Sequence, residues 1–342
     1  MGLFLLRRVF LTLSVIVAVS FVAFAIFGST LDPREPMFLD PTPLGAAQRA
    51  FVAQHYHLND PIVSRYLRWA GGFFRHGFGN QVSIDVSRTF PLRLNTEGFP
   101  IGPEAWRATE VSAALVGMAL VLVVIGASAV GVLSARRTRR RTDIPARFVA
   151  YLGAAVPTFL VADLLRRALG GQGSFQMRGF VVINQPGSSL GWFATGPPTH
   201  GVVSWLQHLT LPALALALGL IGLYARYVRS SMLVELAQPY VTVARAKGLP
   251  ERRVLFRHAL RAGLAPFVSL LSLEMGAVIG ASIAADGVFN SGGLASTFLS
   301  AFGRDDPFEL TALLVVSALL VCGMSLLGDG LVGLLDPRVV RD

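Results

Sequence analysis

The chain has 342 residues, of which 53% are hydrophobic and 15% are charged, and its formal net charge is +10. Its apolar runs exceed the length of ordinary core helices, which excludes a water-soluble globular domain and predicts an all-α, polytopic membrane protein. The positive charge would suit a nucleic-acid binder, but the arginines sort largely to one side of the predicted membrane. We therefore expect a lipid bilayer and no nucleic acid as the partner.

Six stretches are long and apolar enough to cross the hydrocarbon core, which takes roughly 20 residues of helix. In chain order they cover about residues 9–31, 108–134, 148–169, 206–228, 263–288 and 310–335. The first is too long for a secretory signal peptide, so we expect it to be retained. The third is the weakest, because Asp163, Arg166 and Arg167 interrupt it. We interpret these three as an ion pair at helical spacing in preference to a substrate contact.

The distribution of basic residues predicts how these spans are oriented. Most of the 30 Lys and Arg residues lie before the first span, in the loop 135–147, between 226 and 261, and in the tail. That side is expected to be the cytoplasm, with both termini inside. The predicted division is an N-terminal transmembrane helix (1–31), an extracytoplasmic subdomain (32–107), a core of five transmembrane helices (108–335) and a cytoplasmic tail (336–342).

The segment between the first two spans is expected to be structured. Between residues 42 and 79, two short amphipathic helical patterns are separated by Asn59-Asp60-Pro61. The loop 170–204 is rich in Gly, Pro and Ser, which predicts an irregular cap. We interpret the outward histidines His55, His57 and His76 as surface hydrogen-bonding residues rather than a metal site.

The sequence lacks the motifs of two classes of enzyme. A phosphate-binding P-loop needs Gly-Lys followed by Ser or Thr, whereas the only lysine, Lys247, lies between Ala246 and Gly248. The His-Glu-x-x-His spacing of zinc proteases is absent as well. We therefore expect no catalytic residue, metal or cofactor on this chain. If ATP drives the protein, another chain must hydrolyse it.

Residues 240–266, YVTVARAKGLPERRVLFRHALRAGLAP, form a stretch dense in arginine. Gly248 is a helix stop signal and Pro250 a start signal, so the stretch predicts a helix, a sharp turn and a second helix. On the second helix Arg253, Arg257 and Arg261 are spaced by four and make one charged stripe. Taken alone, the stripe would indicate a cationic helix lying on anionic lipid.

Two ordered elements of this stretch, ARAKGL and HALR, resemble the cytoplasmic coupling loop of ABC-importer permeases of the dipeptide, oligopeptide and nickel family. The resemblance extends over nearly the whole chain, including Leu335-Asp336-Pro337-Arg338 near its end, and departs from the family pattern at Leu31 and Gly292. It assigns docking on an ATP-hydrolysing subunit to the loop 229–262. The residues it implicates are Ala244, Arg245, Ala246, Lys247, Gly248, Leu249, Arg253, His258 and Arg261.

The resemblance implies a six-helix permease with the fold of type I ABC importers, working by alternating access in the cytoplasmic membrane. The implied partners are a second homologous permease subunit, two ATP-binding subunits that hold ATP and Mg, and an extracytoplasmic peptide-binding protein. Oligopeptides or dipeptides are the expected cargo. Nickel or another small solute, an ion-gradient-driven secondary transporter or channel, and a membrane scaffold or enzyme subunit stay open as alternatives.

Glu274 lies near the middle of the fifth predicted span, where a carboxylate should face a polar cavity or a partner. Two interpretations are balanced. In one, Glu274 lines a translocation path and contacts the polar backbone or ammonium group of a peptide. In the other, it is protonated and satisfied by a neighbouring helix. Asp286, near the outer end of the same span, is a weaker candidate for the path and can equally be part of the gate structure.

Overall fold

A computed structural model describes residues 2–32, 34, 43–76, 101–136, 156–168, 176–178, 181–183, 189–190, 193–194, 196–303 and 306–335. The helices are α1 Gly2–Thr30, α2 Pro43–His55, α3 Ile62–His76, α4 Ile101–Arg136, α5 Thr158–Ala168, α6 Val202–Leu236, α7 Pro239–Ala246, α8 Glu251–Arg253, α9 Leu260–Leu273, α10 Met275–Phe289, α11 Leu294–Phe302 and α12 Pro307–Leu335. A π-helix, Val254–Ala259, connects α8 to α9.

Within the part of the chain that the structure describes, five helical segments are long and apolar enough to cross a membrane: Leu13–Thr30, Ile101–Ala135, Val202–Leu236, Glu251–Leu273 and Pro307–Gly328. They confirm the predicted helical membrane class, because each overlaps one of the predicted spans. The third predicted span contributes α5, an 11-residue helix. Residues 148–155 and 169 of that span, the basic loop 137–147 and the tail 336–342 lie outside the described residues.

The fifth predicted span is not one uninterrupted helix, and this prediction is corrected. α9 ends at Leu273 and α10 begins at Met275, with Glu274 between them at φ −91° and ψ 11°. These angles fall in the sparsely populated bridge region. The interruption is local, because the Glu274 N–H donates to the Leu270 carbonyl and the Val278 N–H donates to the Glu274 carbonyl. Apolar residues continue on both sides, so the hydropathy pattern does not reveal it.

The regions expected to lie outside the membrane combine helices and hairpins. α2 and α3 confirm that two helices form in this segment, and the chain turns between them at residues 56–61. The predicted irregular cap contains two short antiparallel hairpins. In these, β1 (Gln176–Arg178) pairs with β2 (Val181–Ile183), and β3 (Ser189–Leu190) pairs with β4 (Phe193–Ala194). Of the three outward histidines, the side chains of His55 and His76 lie outside the part that the structure describes. Nδ1 of the third, His57, lies 3.7 Å from Oδ2 of Asp60.

The chain divides into two compact units, and the first comprises residues 1–110 and 293–320. Its centre is aromatic: Phe24 is fully buried, and its ring centroid lies 5.7 Å from that of Tyr66 and 5.9 Å from that of Phe308. Tyr66 also hydrogen-bonds Ser20 through its hydroxyl at 2.8 Å, which ties α3 to α1. Burial of such rings accounts for much of the packing energy of a small core.

The second unit comprises residues 111–292 and 321–342, and α6 is its central helix. α6 packs against α5, α9 and α10. It also approaches α4 closely, since a Cβ added at Gly131 would lie 2.7 Å from Val228. A glycine at this position lets the two backbones meet, as small residues do in membrane helix pairs. This unit holds every residue assigned to the coupling loop and to the path.

Candidate functional site

The basic stretch folds as predicted, into a helix, a tight turn and a second helix. α7 ends at Ala246, and Gly248 adopts φ +72°, the left-handed conformation that glycine tolerates best. The Gly248 N–H donates to the Arg245 carbonyl at 2.9 Å, and the Leu249 N–H donates to the Ala244 carbonyl at 3.3 Å. This pair of bonds is the Schellman motif, which satisfies the last carbonyls of a helix and fixes its exit direction.

An apolar cluster beneath the turn anchors it to the rest of the unit. Val241 and Val254 are fully buried and Ala244 is nearly so, and Leu236 and Leu249 pack against them. Leu236 is the last residue of α6, so the cluster joins the turn directly to the end of that long helix. Tight packing of this kind transmits displacement instead of absorbing it.

Two polar contacts reinforce the turn. Arg245 forms a bidentate ion pair with Glu251 across the turn, with Nη2 2.9 Å from Oε1 and Nε 3.2 Å from Oε2. This hydrogen bonding raises the pKa of Arg245. The two side chains are 45% and 41% exposed, so we expect the pair to orient the turn more than to stabilise it. Tyr240 donates its hydroxyl to Oε2 of Glu235 at 2.6 Å, and desolvation together with this bond raises the pKa of Tyr240 to about 12.

The outward surface of this region is basic. Ala246, Lys247 and Gly248 are exposed at the tip of the turn. On the second helix the stripe of Arg253, Arg257 and Arg261 is exposed, whereas Val254, Leu255 and Ala259 are buried and His258 is half-buried. The predicted two-faced helix is therefore present. Near its start, Val254–Ala259 form a π-helix, a rare geometry found often at functional sites, and the sequence pattern carries no signal for it.

Glu274 accepts a hydrogen bond from a residue of α6 that the sequence analysis did not identify. The hydroxyl of Tyr224 on α6 donates to Oε2 of Glu274 at 2.8 Å. Tyr224 is 1% exposed and packs edge-on against Phe267, with ring centroids 5.5 Å apart, so its hydroxyl has a fixed position. Glu274 itself is half-buried. A neighbouring helix thus satisfies one carboxylate oxygen, while the residue remains partly exposed.

Asp286 occupies a different setting. It lies in the last turn of α10 and is 2% exposed. Its backbone carbonyl accepts hydrogen bonds from the N–H groups of Asn290 and Ser291, which close the helix end. Asn290 adopts a left-handed φ of +50° there. Asp286 is therefore buried at a helix end, whereas Glu274 is half-buried at a helix interruption.

The charged residues of α5 pair with each other, as predicted. Asp163 Oδ2 lies 2.7 Å from Nε of Arg167, and Asp163 Oδ1 lies 3.4 Å from Nη2 of Arg166. Arg166 is 3% exposed, while Arg167 is largely exposed. A carboxylate shared between two arginines is the arrangement that makes charges tolerable near a bilayer.

These features define a class: a polytopic helical membrane protein that presents a rigid, exposed basic turn and carries a tethered carboxylate at a helix interruption. Residues 127–341 match the family described as binding-protein-dependent transport system inner membrane component. The chain belongs to this family, which makes it a permease component and an inner-membrane protein. The resemblance indicated by the basic stretch is thereby confirmed.

Relatives named as peptide-transport permeases match this chain nearly from end to end. It is 30% identical to the oligopeptide transport system permease protein AppB of Bacillus subtilis over 346 residues, which covers 99% of each chain. It is 30% identical to the oligopeptide transport system permease protein OppB of Mycobacterium tuberculosis over 343 residues, or 98% of each chain. The dipeptide transport system permease protein DppB of Bacillus subtilis is 28% identical over 341 residues, covering 99% of this chain and 98% of that one.

Proposed function

We propose that this chain is one permease half of an ATP-driven importer that carries oligopeptides or dipeptides across the cytoplasmic membrane by alternating access. The observation that carries the proposal is the exposed turn at Gly248, closed by backbone hydrogen bonds and anchored on a buried cluster. The cargo is inferred from full-length relatives whose names state oligopeptide and dipeptide transport. Nickel or another small solute is the alternative cargo within the same mechanism.

Energy is proposed to enter through the turn. Two partner subunits hold ATP and Mg and press on residues 244–249, on Arg253 and Arg261, and on the adjacent His258, while this chain binds no cofactor of its own. The apolar cluster and the Tyr240–Glu235 hydrogen bond connect the turn to the end of α6. A push on the turn is therefore passed to a long membrane helix. Inward-open and outward-open states then differ by the contacts that each makes with the ATP-binding subunits.

The cargo path is proposed to run past Glu274. Within the described residues, Oε2 of Glu274 accepts the Tyr224 hydroxyl and Oε1 makes no hydrogen bond. A carboxylate with one free oxygen at a helix interruption can accept from the ammonium group or amide N–H of a peptide. The buried Asp286 is proposed to support the gate near the outer end of α10.

The remaining architecture is proposed by the same reasoning. Six spans with both termini in the cytoplasm would place residues 32–107 outside, where a peptide-binding protein delivers cargo. A second, homologous permease would cover the face of α9 and α10 on which Leu273 is 83% exposed and Gly276 and Gly280 are exposed. Small residues on such a face allow two membrane helices to approach closely.

Thiol cross-linking tests the docking. In a Cys322→Ser background, Lys247→Cys places a thiol on the exposed tip of the turn, and Val203→Cys places one at the opposite end of α6, 61% exposed. We expect the thiol at 247 to capture the ATP-binding subunit and the thiol at 203 not to. Capture from neither position, with both variants folded, would favour a gradient-driven secondary transporter, which needs no ATPase.

A further inference from the structure

A polar cavity of about 240 Å³ lies in the first unit, where α1 ends. It is lined by the last turn of α1 and the next residue (28–31), by Asp32 and Arg34, and by Leu58 and Arg65 from the opposite side. The cavity has room for a phosphate-sized group together with water. None of its lining residues belongs to the coupling turn or to the proposed path.

The carboxylate in the cavity is already engaged. Arg34 donates to Asp32 through Nε and Nη2, at 2.8 Å to Oδ1 and 2.8 Å to Oδ2, and its backbone N–H adds a third bond at 2.9 Å. This fork lowers the pKa of Asp32, so the pair stays ionised and mutually neutral. The charge balance of the cavity therefore depends on Arg65.

Arg65 has no ion-pair partner among the residues that the structure describes. Its Nε is buried and makes no hydrogen bond there, and its guanidinium carbon lies 5.9 Å from the ring centroid of Phe24. Burial, followed by the charge of Arg34, lowers the pKa of Arg65. A buried donor without an acceptor is costly, and a guanidinium fork is the side chain that matches an oxyanion best.

The position of the cavity indicates where that oxyanion comes from. The apolar segment Leu13–Thr30 is long enough to reach across the hydrocarbon core, so a cavity at its last turn lies at headgroup level. On α1, Val22 and Ile26 lie on the same helix face as the cavity-lining Ser29 and Thr30, and Val22 is 54% exposed. Ile26, just before the cavity on α1, is 53% exposed. Apolar surface beside a cationic pocket fits acyl chains below a headgroup.

We propose that Arg65 binds the phosphate of a phospholipid headgroup in this cavity, with the lipid acyl chains covering Val22 and Ile26. The lipid then supplies the acceptor that Arg65 lacks, and it holds α3 against the end of α1. A free phosphate shares the headgroup chemistry but gains nothing from the apolar surface, so the two sources differ in how binding depends on acyl chains.

Native mass spectrometry of the full chain in detergent tests the site, with phosphatidylglycerol as the probe. The test variant is Arg65→Gln. The matched control is Arg68→Gln, one turn further along α3, which removes an exposed arginine paired with Asp60 at 2.6 Å. We expect the affinity for one lipid to fall at least about tenfold in Arg65→Gln and to stay unchanged in Arg68→Gln.

Lipid affinity unchanged in Arg65→Gln would overturn the proposal. So would displacement of the lipid by an equal concentration of inorganic phosphate, since the cavity would then be a site for a soluble oxyanion. Should Arg65→Gln fail to fold, Arg65→Lys decides the matter, because lysine keeps the charge but not the planar fork. A reduced affinity in Arg65→Lys supports the assignment, and wild-type affinity there contradicts it.

Discussion

Replacing Gly248 by alanine isolates the backbone requirement of the proposed coupling turn. A Cβ added at this position meets no atom within 4 Å, so the substitution introduces no clash. Its cost is the strain of a non-glycine residue at φ +72°, about 1–2 kcal/mol. The amides of Gly248 and Leu249 donate the two bonds that close the turn. A penalty of that size changes the local opening equilibrium by a factor of roughly 5–30.

We therefore expect hydrogen exchange of these two amides to accelerate by that factor in Gly248→Ala, measured by mass spectrometry on a peptide covering the turn. Gly248→Asn should accelerate exchange less, because asparagine tolerates the left-handed conformation, and Gly248→Val should accelerate it more. ATP-driven uptake should be least affected in Gly248→Asn and most affected in Gly248→Val, since the turn is proposed to transmit motion from the ATP-binding subunits.

A second glycine serves as the matched control. Gly71 in α3 is exposed, and a Cβ there also meets nothing within 4 Å, but its backbone is helical. Gly71→Ala should leave exchange in the turn unchanged and be neutral or slightly stabilising for its own helix. Exchange in Gly248→Ala as slow as in the native chain, or equal rates for Ala and Asn at 248, would refute the backbone argument.

Two further predictions concern the second unit. Gly131→Ala would place a Cβ 2.7 Å from Val228, so we expect overpacking to lower stability by about 1–3 kcal/mol in thermal unfolding, while Gly117→Ala on the same helix, with open space around it, should not. Glu274→Gln keeps an oxygen for the Tyr224 hydroxyl but removes the charge, so we expect a folded protein whose peptide uptake falls about tenfold. Unchanged uptake of every peptide would remove Glu274 from the path.

Local signals account for what the sequence predicted correctly. A run of about 20 apolar residues defines a span through its own composition, and the stretches 9–31 and 310–335 correspond to α1 and α12. The turn at Gly248 was predictable for the same reason. Glycine and the following Pro250 act on their own backbone angles, whatever packs around them.

The features that the sequence did not predict depend on contacts between distant residues. The hydroxyl of Tyr224 reaches Glu274 from a position 50 residues earlier, and no spacing rule relates such a pair. The helix interruption at Glu274 occurs inside a continuous apolar run, where local propensity favours one long span. The cavity at Arg65 likewise joins the end of α1 to α3, across a segment whose intervening residues give no sign of the pairing.

Departures from regular α-helix concentrate in one part of the second unit, and their order along the chain suits the proposed mechanism. Gly248 turns the chain, the π-helix Val254–Ala259 follows, and the interruption at Glu274 ends the run. Between turn and interruption lies one helical segment, Glu251–Leu273, whose 23 residues span roughly 35 Å. Because this segment packs along α6, we propose that motion imposed at its basic end is passed to its other end. The other end is the interruption that carries Glu274. Substitutions at Gly248 should therefore change coupling to ATP, and those at Glu274 should change the handling of cargo.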